Sequence, residues 1–408
     1  MSRGILFITY NGMLEPITQA QALPYLRRLA SAGYRIVVLS FEKRHDLRRV
    51  GRNALRQQQR ELASAGIVWR WLRYHKSPSV PATLYDIGRG MLAGWWLALR
   101  HRSGVVHARG TVAAAMGRWV AAPLRRKFLF DLRGLMAEEY ADGGLWARHS
   151  WRFRQVSRLE HRLLTASDAV VVLTERIREA LSRNGGARHS LPPMTVIPCC
   201  VDLERFKPRP RDVELARRLG LREEEFIVGY VGSLGTWYLL DQMLDWFGRF
   251  QRHRASSRFL IVTQTDHAAV RRAAAAHGAA DAVTVTAAPS EQMPRYWSLA
   301  DASISFIQST LAKSASSPTK VGEALACGVP LIVNRGVGDL DALVARYRCG
   351  VIVEPLSVAG YAASITACER LWSETDLRHR CRRAAEEALA LSDGAERYAR
   401  IYRALGAP

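Results

Sequence analysis

Thr195-Val196-Ile197-Pro198, then Lys207-Pro208-Arg209-Pro210-Arg211, then Phe226-Ile227-Val228-Gly229-Tyr230-Val231: read in order, these three stretches decide the fold. The first closes a series of short apolar runs, the second is a polar, proline-bearing linker, and the third opens a new series. Upstream lie residues 5–10, Ile36-Val37-Val38-Leu39, Val105-Val106, Phe128-Leu129-Phe130 and Ala169-Val170-Val171-Val172-Leu173. Downstream lie residues 259–262, 283–286, 302–306, 331–334 and 350–353. The runs lack polar alternation, which predicts strands covered on both faces and therefore parallel sheets with helices between the strands. Two such series in 408 residues make two α/β halves, in keeping with about 150 residues per domain.

Between the first two runs, residues 20–32 have helical spacing and Gly33 is placed to stop that helix. Apolar residues make up 48% of the chain, which excludes a disordered or collagen-like protein. The six cysteines, Cys199, Cys200, Cys327, Cys349, Cys368 and Cys381, have neither C-x-x-C nor zinc-ligand spacing, so reduced buried thiols and no metal are expected. The amino terminus runs into the first strand without a signal-peptide pattern, and the expected location is the cytoplasm. Residues 91–99, with Trp95 and Trp96, are too short to span a bilayer. They read either as a buried amphipathic helix or as one lying in a membrane interface.

The net charge of +22 is unevenly spread: residues 1–200 hold 32 Lys+Arg and 13 Asp+Glu, residues 201–408 hold 27 and 24. A basic first half points to an acidic partner, with an anionic membrane as the leading candidate. Arg125-Arg126-Lys127 and Arg148, Arg152, Arg154, Arg158 and Arg162 are its candidate contacts, and an arginine-rich codon bias is the alternative. A basic nucleic-acid-binding protein would also account for the charge and stays as an alternative function, but no helix-turn-helix, zinc or aromatic-platform motif accompanies it, so nucleic acid is not expected as partner.

Chemistry concentrates in Ser314-Ala315-Ser316-Ser317-Pro318-Thr319-Lys320-Val321-Gly322-Glu323-Ala324-Leu325-Ala326-Cys327-Gly328-Val329-Pro330. Ser317 suits a helix cap, Pro318 the first helical position and Gly328 the stop. A helix amino terminus attracts phosphate, Lys320 adds a full charge there, and Glu323 suits ribose hydroxyls. An ordinary capped helix with solvent-facing Lys320 and Glu323 is the alternative. Gly232-Ser233-Leu234-Gly235-Thr236 follows a strand; its glycines let backbone approach a diphosphate and Ser233 and Thr236 offer hydroxyls. In the first half Asp131 and Arg133 follow a strand's carboxyl end, where they either line a ligand crevice or pair with each other.

These segments resemble glycosyltransferase family 4, in particular a bacterial subset with F-D-x-R-G and S-S-P-T-K-x-x-E. The resemblance covers nearly the whole chain, most specifically residues 130–146, 196–206 and 316–330. It implies a GT-B fold, two Rossmann-like domains facing each other across a cleft. Residues 1–195 would form the acceptor-side domain, 196–385 the nucleotide-sugar domain, and 386–408 a helix returning to the first. It further implies transfer of a sugar from a nucleoside diphosphate sugar to a hydroxyl on a glycan or lipid-linked acceptor. Retention, no metal and no other cofactor are expected, as in synthesis of a bacterial polysaccharide, glycolipid or other glycoconjugate by an enzyme peripheral to the membrane's inner face.

By the same resemblance Glu323 binds the ribose, while Ala315 stands where the family has a sugar-binding Glu. Ser316, Ser317, Thr319 and backbone amides are left for that contact. The Gly232–Thr236 loop lacks the Arg and Lys that many members carry, so the cationic role falls on Lys320, with Arg335 second. Gly12, Glu15 and Gln21 belong to the first loop and helix of the acceptor side, with Asp131, Arg133, Glu138 and Glu139. His107, followed by Arg109, marks a loop where similar enzymes carry a functional His, and a satisfied structural His107 is the alternative. A sugar-nucleotide epimerase shares the fold and remains the competing enzyme class.

Overall fold

The computed structural model describes residues 4–184 and 191–407. The chain divides into two compact units, one formed by residues 1–198 with 391–408 and the other by 199–390.

The first unit is a seven-stranded parallel sheet. Its strands are β1 (Gly4–Thr9), β2 (Arg35–Glu42), β3 (Ile67–Arg73), β4 (Val105–Arg109), β5 (Lys127–Asp131), β6 (Ala169–Val172) and β7 (Met194–Val196), in the order β3-β2-β1-β4-β5-β6-β7. Strand order reverses between β1 and β4, and such a switch point leaves a crevice beyond the strand carboxyl ends. The helix expected over 20–32 is two helices, Pro16–Gln21 and Leu23–Ser31. Pro24 explains the break, because it has no N–H for a continuing helix and its ring clashes with the preceding turn. Gly33, at φ +91°, stops the second helix as expected.

The second unit is a six-stranded parallel sheet. It comprises β8 (Phe226–Val231), β9 (Ser257–Val262), β10 (Val283–Thr286), β11 (Ala302–Ser305), β12 (Leu331–Asn334) and β13 (Gly350–Val353), in the order β10-β9-β8-β11-β12-β13. Apolar cores cover both faces: Trp297, Leu325 and Cys381 belong to one, Trp246, Phe247 and Phe306 to the other. The switch point lies between β8 and β11. There the segment after β8 pairs with the segment after β11, through Leu239 N to Phe306 O at 3.0 Å and Gln308 N to Trp237 O at 2.8 Å.

Near the carboxyl terminus the helical boundary differs from the expected residue 386. The helix Leu377–Ala388 ends first; Leu389 follows as its cap and Ala390 forms an isolated parallel bridge with Val201, whose N–H donates to Leu389 O at 2.8 Å. Only then does the helix Leu391–Ala404 begin, packed on the helix Leu23–Ser31 within the first unit. All six cysteines are buried, and none is in a disulfide among the described residues. Among the described residues no helix is long and apolar enough to cross a membrane.

Candidate active site

In the second unit Lys320 lies in the first turn of the helix Thr319–Ala326. Its side chain is turned inward, 7% exposed, and its Nζ has no hydrogen-bond partner. The ammonium sits 3.8 Å from the ring centroid of Tyr230 at the end of β8 and 4.0 Å from that of Tyr238. Aromatic faces attract a cation but cannot replace its lost hydration. Burial therefore holds the Lys320 pKa well below the ordinary lysine value, with Glu323 pulling the other way. The alternative of a solvent-facing lysine is overturned.

Gly232, at φ +129°, lies directly beside it: a Cβ there would come 3.1 Å from Lys320 Nζ. Both its backbone conformation and this close approach call for glycine. Gly235, at φ +147°, and Thr236, at φ +34°, continue the turn, and Ser233, Gly235 and Thr236 are exposed. Ser233 spends its carbonyl on Tyr230 Oη at 2.7 Å, which leaves its hydroxyl as the group it presents.

Glu323, one turn beyond Lys320, is partly buried and its Oε2 accepts from Trp297 Nε1 at 3.4 Å. Burial pushes its carboxyl up to about 7, against the lowering pull of Trp297, Arg205 and Lys320. Ser317 does not cap the helix. Pro318 occupies the cap position without a side-chain bond, and Ser317 Oγ instead accepts from Cys199 N at 3.0 Å, tying the helix entrance to the start of this unit. Ser316 and Thr319 flank it, both partly buried, and Ala315 is buried. Gly328, at φ +78°, stops the helix as expected. Arg335 does not join Lys320: its exposed guanidinium pairs with Glu354.

Sequence reasoning missed Lys313. It is buried, with its Nζ 3.9 Å over the ring of Trp237 from the glycine loop, so the switch point holds two buried lysines, each against an aromatic side chain of the segment after β8. The only sequence signal was a lysine in an otherwise small and apolar stretch, Leu311-Ala312-Lys313-Ser314-Ala315.

In the first unit the structure brings Gln21, His107, Arg109, Asp131 and Arg133 together at the ends of β4 and β5. Asp131 is buried, 1% exposed, and is the hub. Tyr398 Oη donates to its Oδ2 at 3.0 Å, while Arg109 and Arg133 lie 3.4 and 3.5 Å from its two oxygens. Burial alone would raise its pKa, but Arg133, His107 and Arg109 together hold it below the ordinary carboxylate range. Arg109 also donates to Gln21 Oε1 at 2.9 Å. The structural bridge between Asp131 and Arg133 is thus present within a larger network.

His107 is enclosed. Its Nδ1 lies 2.7 Å from Tyr402 Oη, its Nε2 faces Asp131 at 3.5 Å without a hydrogen bond, and the ring is 2% exposed. Burial lowers its pKa despite Asp131, so the neutral ring is favoured. The expected contact of His107 with a reacting group is corrected to an enclosed interior histidine, bonded to Tyr402 through Nδ1 and lying beside Asp131.

The first loop has an organiser that the sequence did not disclose. Glu42, fully buried, accepts from Met13 N at 2.7 Å, Leu14 N at 3.2 Å and Ser40 Oγ at 2.6 Å. Gly12 is required by this packing, since a Cβ there would fall 2.5 Å from Glu42 Oε2. Glu15 closes the loop by accepting from Gly12 N at 2.8 Å and pairs with Lys43 at 2.9 Å. A second buried acid, Glu160, accepts from Met136 N at 2.7 Å and from Thr111 Oγ1 at 2.9 Å, and so anchors the start of the helix Met136–Asp142. Of the two acids in that helix's first turn, Glu138 pairs with Arg148 and Glu139 packs against Gly134. Arg148, expected to be a surface contact, is engaged by Glu138 and Asp142.

A family model described as "Glycosyl transferase 4-like domain" matches residues 18–200, and one described as "Glycosyl transferases group 1" matches residues 213–388. No curated protein matches the chain. Among solved structures, a glycosyltransferase from Rickettsia africae is 14% identical with a TM-score of 0.73, covering 99% of this chain and 98% of its own. HepE from Anabaena, in complex with UDP, is 16% identical with a TM-score of 0.70 over 99% and 100%. Sucrose-phosphate synthase from Thermosynechococcus elongatus is 19% identical with a TM-score of 0.68 over 98% of both chains. With a glycosyltransferase model on each half and two Rossmann-like sheets matching such enzymes from end to end, this chain is a glycosyltransferase of the GT-B fold.

Proposed function

We propose that the chain transfers a sugar from a nucleoside diphosphate sugar to a hydroxyl of a glycan or lipid-linked acceptor. The transfer proceeds with retention and without a metal, as a family 4 enzyme of bacterial polysaccharide, glycolipid or glycoconjugate synthesis. The observation that carries this reading is the unbonded Lys320 ammonium beside Gly232, one turn from Glu323. A buried cation without a hydrogen-bonding anion is costly, and a diphosphate supplies both the charge and the acceptors it lacks. HepE, recorded with UDP-glucose, supports a nucleotide sugar as donor.

In this reading Glu323 accepts hydrogen bonds from the ribose hydroxyls. The Gly232–Thr236 turn lets backbone and the Ser233 and Thr236 hydroxyls approach the diphosphate, and Ser316, Ser317 and Thr319 lie toward the sugar. As the bond from the anomeric carbon to the phosphate oxygen breaks, Lys320 stabilises the charge left on the diphosphate. The acceptor oxygen bonds to the same carbon on the same face, and its proton passes to the departing phosphate oxygen. The acceptor side is set by Arg109 and Arg133, which Asp131 holds in place, while His107, Tyr398 and Tyr402 keep Asp131 fixed.

The test is a panel of nucleotide sugars against the purified protein, read by thermal shift and then by nucleotide release with a hydroxyl acceptor. A donor at 100 times its dissociation constant adds about 2.7 kcal/mol of stability. Anomeric configuration of the product, read by proton NMR, checks retention. If no nucleotide sugar raises the melting temperature, or if Lys320→Met binds nucleotide as tightly as the parent protein, the assignment fails.

A further inference from the structure

The helix Ser79–Arg100 is packed inside out. Its buried positions are small or polar: Ala82, Asp86, Gly90, Gly94 and Ala98, with Leu97 the one large residue among them. The glycines are needed for that contact, since a Cβ on Gly94 would lie 2.7 Å from Val120 Cγ2 and one on Gly90 would lie 2.6 Å from Met116 Sδ. The large apolar residues face outward instead. Tyr85, Leu92, Trp96 and Leu99, spaced by seven, four and three, form one stripe, and each is more than half exposed. Trp119, on the neighbouring helix Thr111–Ala121, is equally exposed, and the two helices are joined where Trp95 Nε1 donates to Trp119 O at 3.0 Å. A soluble helix normally buries its large residues and shows its small and charged ones. Clustered exposed tryptophan and leucine mark a binding surface.

The charges around the stripe say what binds. From Ser79 to Lys127 the chain carries eight Lys or Arg and one acid, Asp86, which is buried and engaged with His75 and Tyr10. Arg89 lies with its guanidinium 5.6 Å from the Tyr85 ring, within the stripe, and Arg100, Arg102 and Arg125 are exposed at its end. A second copy of this surface would bring cation against cation. An anionic bilayer offers phosphate to the arginines and an acyl boundary to the tryptophans and leucines. We propose that the outer face of the helix Ser79–Arg100, extended by Trp119, docks on an anionic membrane, lying in the interface and not crossing it. This surface is independent of the donor site and does not rest on the catalytic reading.

The full chain is tested by cosedimentation with phosphatidylcholine vesicles, with and without added phosphatidylglycerol, and by quenching of tryptophan fluorescence with bromolipids. The parent protein should bind only the anionic vesicles, be quenched by shallow bromines and release as salt rises. Replacing Leu92, Trp96, Leu99 and Trp119 together by Gln should weaken binding at least tenfold without lowering the melting temperature, because these side chains are exposed. Arg89→Gln with Arg100→Gln and Arg102→Gln should weaken it and flatten the salt dependence. Equal vesicle binding by the parent protein and the apolar variant overturns the proposal. Absence of vesicle binding does so too, and self-association in the ultracentrifuge that the apolar variant abolishes would reassign the face to a contact between copies.

Discussion

Asp131 and Lys320 are both buried charges near the strand carboxyl ends of a parallel sheet, and their surroundings are opposite. Asp131 receives Tyr398 and lies against two guanidiniums and an imidazole, so its charge is compensated within its own unit. Lys320 has two aromatic faces and a glycine, with no hydrogen-bond acceptor on its Nζ. Removing an ion from water costs several kcal/mol unless partners replace its hydration. A compensated charge therefore contributes to the fold, whereas an uncompensated one costs stability that a ligand can restore. The same desolvation is met at Asp131 by two arginines held in place, and at Lys320, in the proposed reading, by the donor's diphosphate.

The two buried charges should differ most in what their removal does to stability. Asp131→Ala leaves Arg109 and Arg133 without their shared carboxylate, and removal of one partner from a buried charge network costs about 3 to 5 kcal/mol. Urea unfolding should register that loss, and a loss below 1 kcal/mol with a raised Michaelis constant for acceptor would make Asp131 a substrate contact. For Lys320→Met the expected signs are reversed. Turnover should fall roughly 100- to 1,000-fold, the range for deleting one group that stabilises developing negative charge, while the melting temperature holds or rises. Normal turnover, or a stability loss like that of Asp131→Ala, would erase the distinction between the two sites.

Glu323 is the partly buried acid one turn from the unbonded Lys320 amine. A hydrogen bond to a charged group is worth about 1.5 to 3 kcal/mol, so Glu323→Gln should weaken nucleotide binding tenfold or more in a calorimetric titration with the fold intact. Unchanged affinity would remove Glu323 from the ribose.

Much of this was legible in the sequence, and the misses have physical causes. Strands covered on both faces declared themselves: the runs at 226–231, 283–286, 331–334 and 350–353 are β8, β10, β12 and β13 to the residue. β3 was missed because it is an edge strand, and Ile67-Val68-Trp69-Arg70-Trp71-Leu72-Arg73 carries the arginines that an edge permits. Within each unit some of the named residues do meet, Gly232 with Lys320 and Gln21 and Arg109 with Asp131 and Arg133, yet their surroundings depend on partners far away in the chain. Tyr402 meets His107 across 295 residues and Tyr398 meets Asp131 across 267, and no local pattern announces either. The helix Ser79–Arg100 misleads for a different reason: apolar spacing gives the face but not its direction, and only the glycines at 90 and 94 hint that the small side is the inner one.

The pH dependence of donor binding should be a weaker effect, with its two limbs coming from the two neighbours in the proposed nucleotide site. Burial raises the Glu323 carboxyl from 4.5 to about 7 in the free protein. The ribose contact needs the ionised form, so affinity should rise with pH through that value, by roughly tenfold between about pH 6 and pH 8. Burial acts on Lys320 in the other direction and lowers its pKa from 10.5. A bound diphosphate favours the charged amine, so this contribution is complete below the lowered pKa of the free protein and is lost as pH rises through it. Affinity for a nucleotide sugar, whose diphosphate keeps its charge throughout this range, should therefore follow a bell. Glu323→Gln should flatten the acid limb alone and Lys320→Met the alkaline limb alone. Titrations in buffers of different ionisation enthalpy would show proton uptake on binding along the alkaline limb, the signature of a lysine that gains its proton when the anion arrives. A profile that keeps both limbs in the double variant would assign the titrations to other groups and leave Lys320 as a buried lysine with no part in donor binding.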